Sequence, residues 1–218
     1  MTEDLPWKAT QTDGTDFYTG EVDYGAALDS GEPLPVLPGT GEFPGPGWYH
    51  LATVPTDCVG MTWPCRLFEV EPADELGDER PRHLNKVGST SVRVLREVPA
   101  HMALGPQGEH VAALIDRARR IDRGAAAWVA AREAAGDAAW VDARAAAWDD
   151  AWGDARVTAV DAAWVAAAAL DAAGVAAAAL VVRDLTSAAH YDVLTGPWRS
   201  AIGPIHPDDP DWTETPWT

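Results

Sequence analysis

Residues 125–172 divide into four consecutive units of twelve residues, in which alanine is the commonest residue. The units read AAAWVAAREAAG, DAAWVDARAAAW, DDAWGDARVTAV and DAAWVAAAALDA, and the fourth position is always tryptophan: Trp128, Trp140, Trp152 and Trp164. Alanine is the best helix former, and no proline interrupts residues 124–180, so the region is predicted to be helical. Smooth alanine surfaces let helices approach closely, and the tryptophans would fill the gaps between them.

The period of twelve excludes an ordinary coiled-coil seam. At about 100° per residue, twelve residues rotate the side-chain direction by about 120°, so successive repeat tryptophans point in three directions. An eleven-residue period would keep them in line by right-handed supercoiling, and twelve departs too far from it. Either one helix of roughly 90 Å is covered on several sides, or the helix breaks at Gly136, Gly153 or Gly174 and its pieces pack on each other. Slippage in GC-rich DNA can also generate such a repeat.

The large side chains of the repeat are the candidate interaction residues. Each repeat arginine follows a tryptophan by four residues, so on a helix its guanidinium can lie over that ring in a cation–π contact. Exposed aromatic rings on an unbroken helix would form an interface, so a homo-oligomer is expected unless the helix folds back at Gly136 or Gly153 or packs along the N-terminal domain. The interaction candidates are Trp128, Trp140, Trp148, Trp152, Trp164, Arg132, Arg144 and Arg156.

The chain is strongly acidic, with 34 acidic and 16 basic residues and a formal charge of −18. Residues 1–104 carry 17 acids and 7 bases, residues 105–190 carry 12 and 8, and residues 191–218 carry 5 and 1. The negative electrostatic potential of such a chain disfavours direct binding to nucleic acid or to a membrane surface and favours a basic protein partner. The longest uncharged Ala-rich run, 172–182, is shorter than the roughly 20 residues that span a bilayer. Together with the lack of a secretory signal pattern, this predicts a soluble, cytoplasmic protein.

Three regions are predicted, and together they give an α+β protein with separate halves. Residues 1–104 form a β-rich domain, because RLFEVE (66–71) and SVRVLREV (91–98) alternate apolar and polar side chains. Residues 7–24 suit a hairpin or meander, residues 25–47 a Pro/Gly-rich loop, and residues 72–88 a charged connection. Residues 105–190 are helical, with Val111, Leu114, Ile115 and Ala118 forming an amphipathic stripe from Glu109 onward. Residues 191–218 form an extended, acidic, Pro/Trp-rich tail.

Chemical motifs are weak in this sequence. It contains no phosphate-binding loop, nucleophile elbow or metalloprotease motif, and no cofactor or metal site is predicted. Cys58, Cys65 and His50 match no compact zinc spacing, so the cysteines are interpreted as core thiols, with a metal site or a disulfide as alternatives. His50 and Glu97 both lie on predicted strands and are the weak catalytic candidates, a minimal acid/base pair if they share a cleft.

Four segments carry a resemblance: WKATQTDGTDFYTGEVDYG, HLATVPTDCVGMTWPCRLFEVEP, VLREVPA and YDVLTGPWRSAIGPIHPDDPD. They resemble an uncharacterised family of actinobacterial and actinophage proteins, in which a small β-rich N-terminal domain precedes a variable, often Ala-rich repetitive region. The resemblance implies no activity, and a phage-encoded member would act in the host cytoplasm. The order of GWYHLAT and RLFEVEP is also similar to ADP-ribosyltransferase-like folds. The sequence thus predicts a non-catalytic binding or assembly module, with such a transferase or an acidic nucleic-acid mimic as alternatives.

Overall fold

The chain forms two compact units, residues 1–103 and residues 104–218. The computed structural model describes residues 5–58, 62–120, 129–131, 133, 138–154, 156–167, 173–210 and 212. Within these, the side chains of residues 138–140, 150, 152, 167 and 200 are outside the description.

The first unit is a six-stranded antiparallel sheet, with strands β1 (Trp7–Thr10), β2 (Tyr49–Ala52), β3 (Arg66–Pro72), β4 (Arg82–His83), β5 (Lys86–Ser89) and β6 (Val92–Val98). The order of the strands across the sheet is β4-β5-β2-β1-β3-β6. Helix α1 (Tyr24–Ser30) packs against β6. Short 3₁₀ helices span Pro55–Asp57, Gly77–Glu79 and Ala100–Leu104.

The alternating patterns of β3 and β6 place their apolar residues as predicted. Phe68 and Val70 are fully buried, and Val92 and Val94 lie in the same core as Tyr24 of α1. The register between β3 and β6 shifts after Glu69, which pairs with Arg96, while Val70 pairs with Val94. The bulge places one extra residue, Leu95, on β6, so Val98 pairs with Leu67 and lies on the opposite face of the sheet from Val94.

Three local predictions for this unit are wrong. Residues 7–24 form no hairpin, because β1 pairs with β2 and β3 and only an isolated bridge joins Thr15 to Asp23. The predicted loop 25–47 begins inside α1, whose N-terminus is capped by the Asp23 carboxylate accepting from the Ala26 amide at 2.8 Å. The charged connection 72–88 contains the hairpin of β4 and β5.

The second unit is helical, with α2 (Gly108–Arg120), α3 (Ala138–Gly153), α4 (Val157–Ala167), α5 (Ala173–Val181) and α6 (Ala188–Ile202). All nine residues of α5 are buried, as expected for a helix that is apolar on every side, and α2, α3, α4 and α6 pack around it. The predicted stripe of α2 is confirmed, because Val111, Leu114, Ile115 and Ala118 are all buried. No helix in the described part of the chain is long and apolar enough to cross a membrane.

Of the two alternatives for the repeat, one unbroken helix over 125–184 is wrong, and residues 191–202 of the predicted extended tail are helical, whereas 203–210 have no regular structure. Helix α3 ends at Gly153, and the chain resumes as α4 and then α5. Gly174 is the second residue of α5, and Gly136 lies outside the described residues. Residues 191–202 belong to α6, which tolerates Pro197 in its interior and carries Trp198, the largest fully buried side chain among the described residues.

Candidate functional site

The structure brings two of the predicted tryptophans together. The rings of Trp148 on α3 and Trp164 on α4 meet edge to face, with their centroids 6.0 Å apart. This geometry is favourable for aromatic pairs. Trp164 remains 36% exposed, so its ring both joins the two helices and reaches the surface.

The other predicted tryptophans are described incompletely. Trp128 and Arg132 lie outside the described residues. Trp140 and Trp152 belong to α3, but their side chains lie outside the description. Arg144 is an exposed residue of α3, and its predicted stacking on Trp140 stays a prediction.

Arg156 does not have the predicted helical geometry, because α3 ends three residues before it. Its guanidinium instead makes a bidentate pair with Asp184, Nη1 to Oδ1 at 2.6 Å and Nη2 to Oδ2 at 3.0 Å. Nε is 2.7 Å from Asp154, and Nη1 also donates to the Val181 carbonyl at 3.2 Å. This hydrogen bonding holds the pKa of Asp184 below its usual value. Arg156 is therefore a buried anchor between α4 and the end of α5 rather than an interaction residue.

The exposed side chains of α3 and α4 combine apolar and acidic groups. Val141 is 50% exposed and Val165 is 63% exposed, and each directly follows a repeat tryptophan, as does the exposed Val129. Sequence reasoning missed these valines, although their constant repeat position was a visible signal. The charges described as exposed on these two helices are Asp142, Asp149, Asp161 and Arg144. Asp161, Trp164 and Val165 are all exposed, and their spacing makes them neighbours on α4; they are called the acidic–apolar surface below.

His50 and Glu97 do not form the predicted acid/base pair. Strand β2 carries His50 and β6 carries Glu97, and β1 and β3 lie between them. Three strand spacings correspond to about 14 Å, beyond the reach of one cleft. Glu97 forms a bidentate pair with Arg66 at 3.0 and 2.7 Å, which lowers the pKa of this glutamate. The minimal acid/base pair is therefore absent, whereas the similarity of GWYHLAT and RLFEVEP to ADP-ribosyltransferase-like folds stays a prediction.

His50 instead anchors the Pro/Gly-rich loop. Its Nε2 lies 2.9 Å from the Gly45 carbonyl oxygen, and the Phe43 ring meets the imidazole edge to face with centroids 5.3 Å apart. Partial burial lowers the pKa of His50, which favours the neutral ring. A Cβ on Gly88, the partner of His50 on β5, would lie 3.0 Å from the Phe43 ring. The histidine thus has a structural role in seating this loop.

Both cysteines are buried free thiols, as the sequence predicted. Burial raises the pKa of Cys58 and of Cys65 to about 12, so neither is a thiolate at neutral pH. The thiolate is the reactive and metal-binding form of cysteine. Within the described ranges, no group of three or more His, Cys, Asp or Glu side chains is placed to hold a metal ion.

A titratable group that sequence reasoning missed lies on β1. The Lys8 ammonium is 5.4 Å from the centre of the Tyr24 ring, and burial lowers the pKa of this lysine. The charges of Cys58 and Asp16 raise the pKa of Lys8, but the effect of burial is larger. The alternation of β1 was too short to reveal which face its one lysine occupies.

We expect Lys8 to react with amine reagents at lower pH in the folded chain than in urea, because only the neutral amine is nucleophilic. Lys8 and Lys86 are the only lysines, so reductive methylation followed by peptide mass spectrometry resolves them. Lys86 is the internal reference for the reagent. An identical pH profile for Lys8 in the folded and unfolded chain would contradict the lowered pKa.

The sheet unit and the helical unit together define a mixed α+β protein. Comparisons with protein-family models, with curated proteins and with solved structures give no match. The site must therefore be interpreted from its own geometry.

Proposed function

We propose that the chain is a non-catalytic protein-binding module that engages its partner through the Ala-rich helices. The observation that carries the proposal is the acidic–apolar surface, in which Trp164 and Val165 are exposed beside Asp161 on one helix. Large apolar side chains at a surface are characteristic of binding sites when they occur together. The proposal agrees with the resemblance to actinobacterial and actinophage proteins, which implies no activity.

The exposed charges of α3 and α4 favour a basic partner over a second copy of the chain. Asp142, Asp149 and Asp161 outweigh Arg144 among the exposed charges described on α3 and α4, and the whole chain carries −18. Two copies would juxtapose like charges, which costs free energy. A cationic amphipathic helix would match the surface, with its apolar side chains against Val165 and its lysines against the aspartates.

The sequence predicts self-association unless the helix folds back at Gly136 or Gly153, and α3 ends at Gly153. The rings of Trp148 and Trp164 contact each other across α3 and α4. Under this proposal the free chain is a monomer in light scattering at tens of micromolar. An oligomer that Val165→Glu dissociates would favour the self-association alternative.

We expect a fluorescent Leu/Lys amphipathic helical peptide to bind the full chain, and Val165→Glu to weaken its binding about tenfold, the equivalent of one buried apolar side chain. Fluorescence anisotropy measures the affinity. Val36→Glu is the matched control, because Val36 is 78% exposed on the other unit and the variant gains the same charge.

Two further peptides decide between this proposal and a nucleic-acid mimic. A Leu/Glu peptide of equal length should not bind. A scrambled Leu/Lys peptide has the same charge without an apolar face, and it should bind much more weakly than the amphipathic one. Equal binding of the scrambled peptide, or equal affinities of Val165→Glu and Val36→Glu, would contradict the proposed surface and favour charge mimicry.

A further inference from the structure

The segment 203–210 follows α6 and is fixed by its own carboxylate. Asp209 accepts hydrogen bonds from the Ile205 and His206 amides at 2.7 and 2.9 Å. Its other oxygen binds Arg199 of α6 at 2.8 Å. Ile205, His206 and Asp209 are all buried, although the segment contains Pro204, Pro207 and Pro210. A short segment without regular structure is thus held closely against the helical unit.

The His206 ring connects this segment to α2. Its Nε2 is 3.2 Å from Gln107 Oε1, and its Nδ1 accepts the Asp208 amide at 3.2 Å. An amide oxygen only accepts and a backbone amide only donates, so these two contacts require the neutral ring with its proton on Nε2. The ring also meets His110 of α2 edge to face, with centroids 5.5 Å apart.

Charged and titratable groups surround the ring from each neighbouring element. They are Asp208 and Asp209 in the segment, His110 on α2, Arg183 after α5, and Tyr191 and Arg199 on α6. The Asp208 carboxylate is 3.5 Å from Nδ1 and is shared with Arg183 at 3.1 Å, while Asp209 is paired with Arg199. The two nearby carboxylates are therefore already neutralised by arginines and stabilise a protonated ring only in part.

Two donors beside the ring make closure of the segment less favourable. The Tyr191 hydroxyl, in a side chain that is 2% exposed, has no hydrogen-bond partner among the described residues, and neither does Arg183 Nε. An unpaired buried donor costs about 1–3 kcal/mol. Opening of the segment would hydrate both groups, so the closed state depends more heavily on the His206 contacts.

We propose that His206 is an acid-sensitive latch that holds residues 203–210 closed when neutral and releases them when protonated. A proton on Nδ1 removes the acceptor of the Asp208 amide. It also adds a positive charge beside Arg183 and His110. Release exposes the buried Ile205 of the segment and the Tyr191 ring that His206 contacts.

The direction of the pH dependence follows from burial. Burial lowers the pKa of His206, with Arg183 and His110 acting in the same sense and Asp208 and Asp209 opposing them. The open segment has the ordinary histidine pKa of about 6.5 and binds protons first. The neutral His206 ring thus stabilises the closed segment above about pH 6.5. This stabilisation is lost as pH falls through the lowered pKa of His206 in the closed state.

Hydrogen exchange of the full chain at pH 7.5 and pH 5.5, corrected for intrinsic rates, tests the latch. We expect the corrected hydrogen-exchange rate of peptides covering 203–210 to be several-fold higher at pH 5.5 than at pH 7.5, while the amides of α5 stay protected at both pH values. The variant His206→Gln should lose this pH dependence. His190→Gln is the control, because His190 is exposed on α6, and it should retain the dependence.

A second measurement keeps the proposal falsifiable if His206→Gln does not fold. The His206 ring resonances of the wild-type chain should titrate below about 6.5, the value for unfolded histidine. Equal protection at both pH values, an unchanged pH response in His206→Gln, or a midpoint at or above that value would each overturn the latch.

Discussion

Replacement of Arg156 by alanine is expected to lower the free energy of unfolding of the helical unit by about 2–3 kcal/mol. Buried ion pairs lose about 3–5 kcal/mol when one partner is removed, and the partial exposure of Asp184 reduces that figure. Arg156 itself is buried, and its loss leaves the Val181 carbonyl and Asp184 without their contacts. Urea unfolding followed by far-UV circular dichroism measures the change.

Arg144→Ala is the matched control, because Arg144 occupies the same repeat position but is exposed. Exposed substitutions of this kind change stability by about 0.5 kcal/mol or less. Arg156 holds the pKa of Asp184 low, so the stability from this pair is present above the ordinary aspartate pKa and is lost as pH falls through the lowered value. The difference in the free energy of unfolding between Arg156→Ala and Arg144→Ala should therefore become smaller at acid pH. Equal effects of the two substitutions at neutral pH would contradict the buried anchor.

Gly174→Ala is expected to destabilise the same unit by about 2 kcal/mol, although alanine normally favours a helix over glycine by about 1 kcal/mol. A Cβ at this position would lie 2.8 Å from the Trp164 carbonyl oxygen and even closer to Cδ1 of its ring. The ring can rotate, but the backbone oxygen moves only if α4 moves away from α5. Thermal and urea unfolding measure the result.

Gly153→Ala separates this steric effect from helix propensity. Gly153 ends α3 on the surface, and a Cβ there meets no atom within 4 Å. We expect this variant to be neutral or slightly stabilising. A stabilising effect of Gly174→Ala would show that α4 and α5 are not in close contact at Trp164.

The predictions that the structure confirms rest on local periodicity. The stripe on α2 and the alternation on β3 and β6 depend only on the geometry of one element, so the buried faces followed directly from the residue order. The hairpin of β4 and β5 escaped detection, because its two-residue first strand, Arg82 and His83, is exposed and carries no apolar pattern. Helix α1 was hidden by the glycines and prolines that follow it.

The candidate site was predictable only in part, because its members depend on where helices end. The repeat identified Trp148 and Trp164 as packing residues, and these two rings do meet. The exposed valines were equally visible at their repeat position but were not used. His50 and Glu97 both lie on strands as predicted, but strand order, which a single sequence does not contain, separates them.

The sequence by itself determined the α+β class and the helices found in the described part of the repeat, since alanine content and apolar periodicity act within single elements. Only the tertiary structure decided which repeat residue is buried. Arg144 and Arg156 have nearly the same neighbours along the chain, yet α3 continues past one and ends at Gly153 before the other. That ending places Arg156 against Asp184, 28 residues away, and such a contact is set by how helices pack around α5.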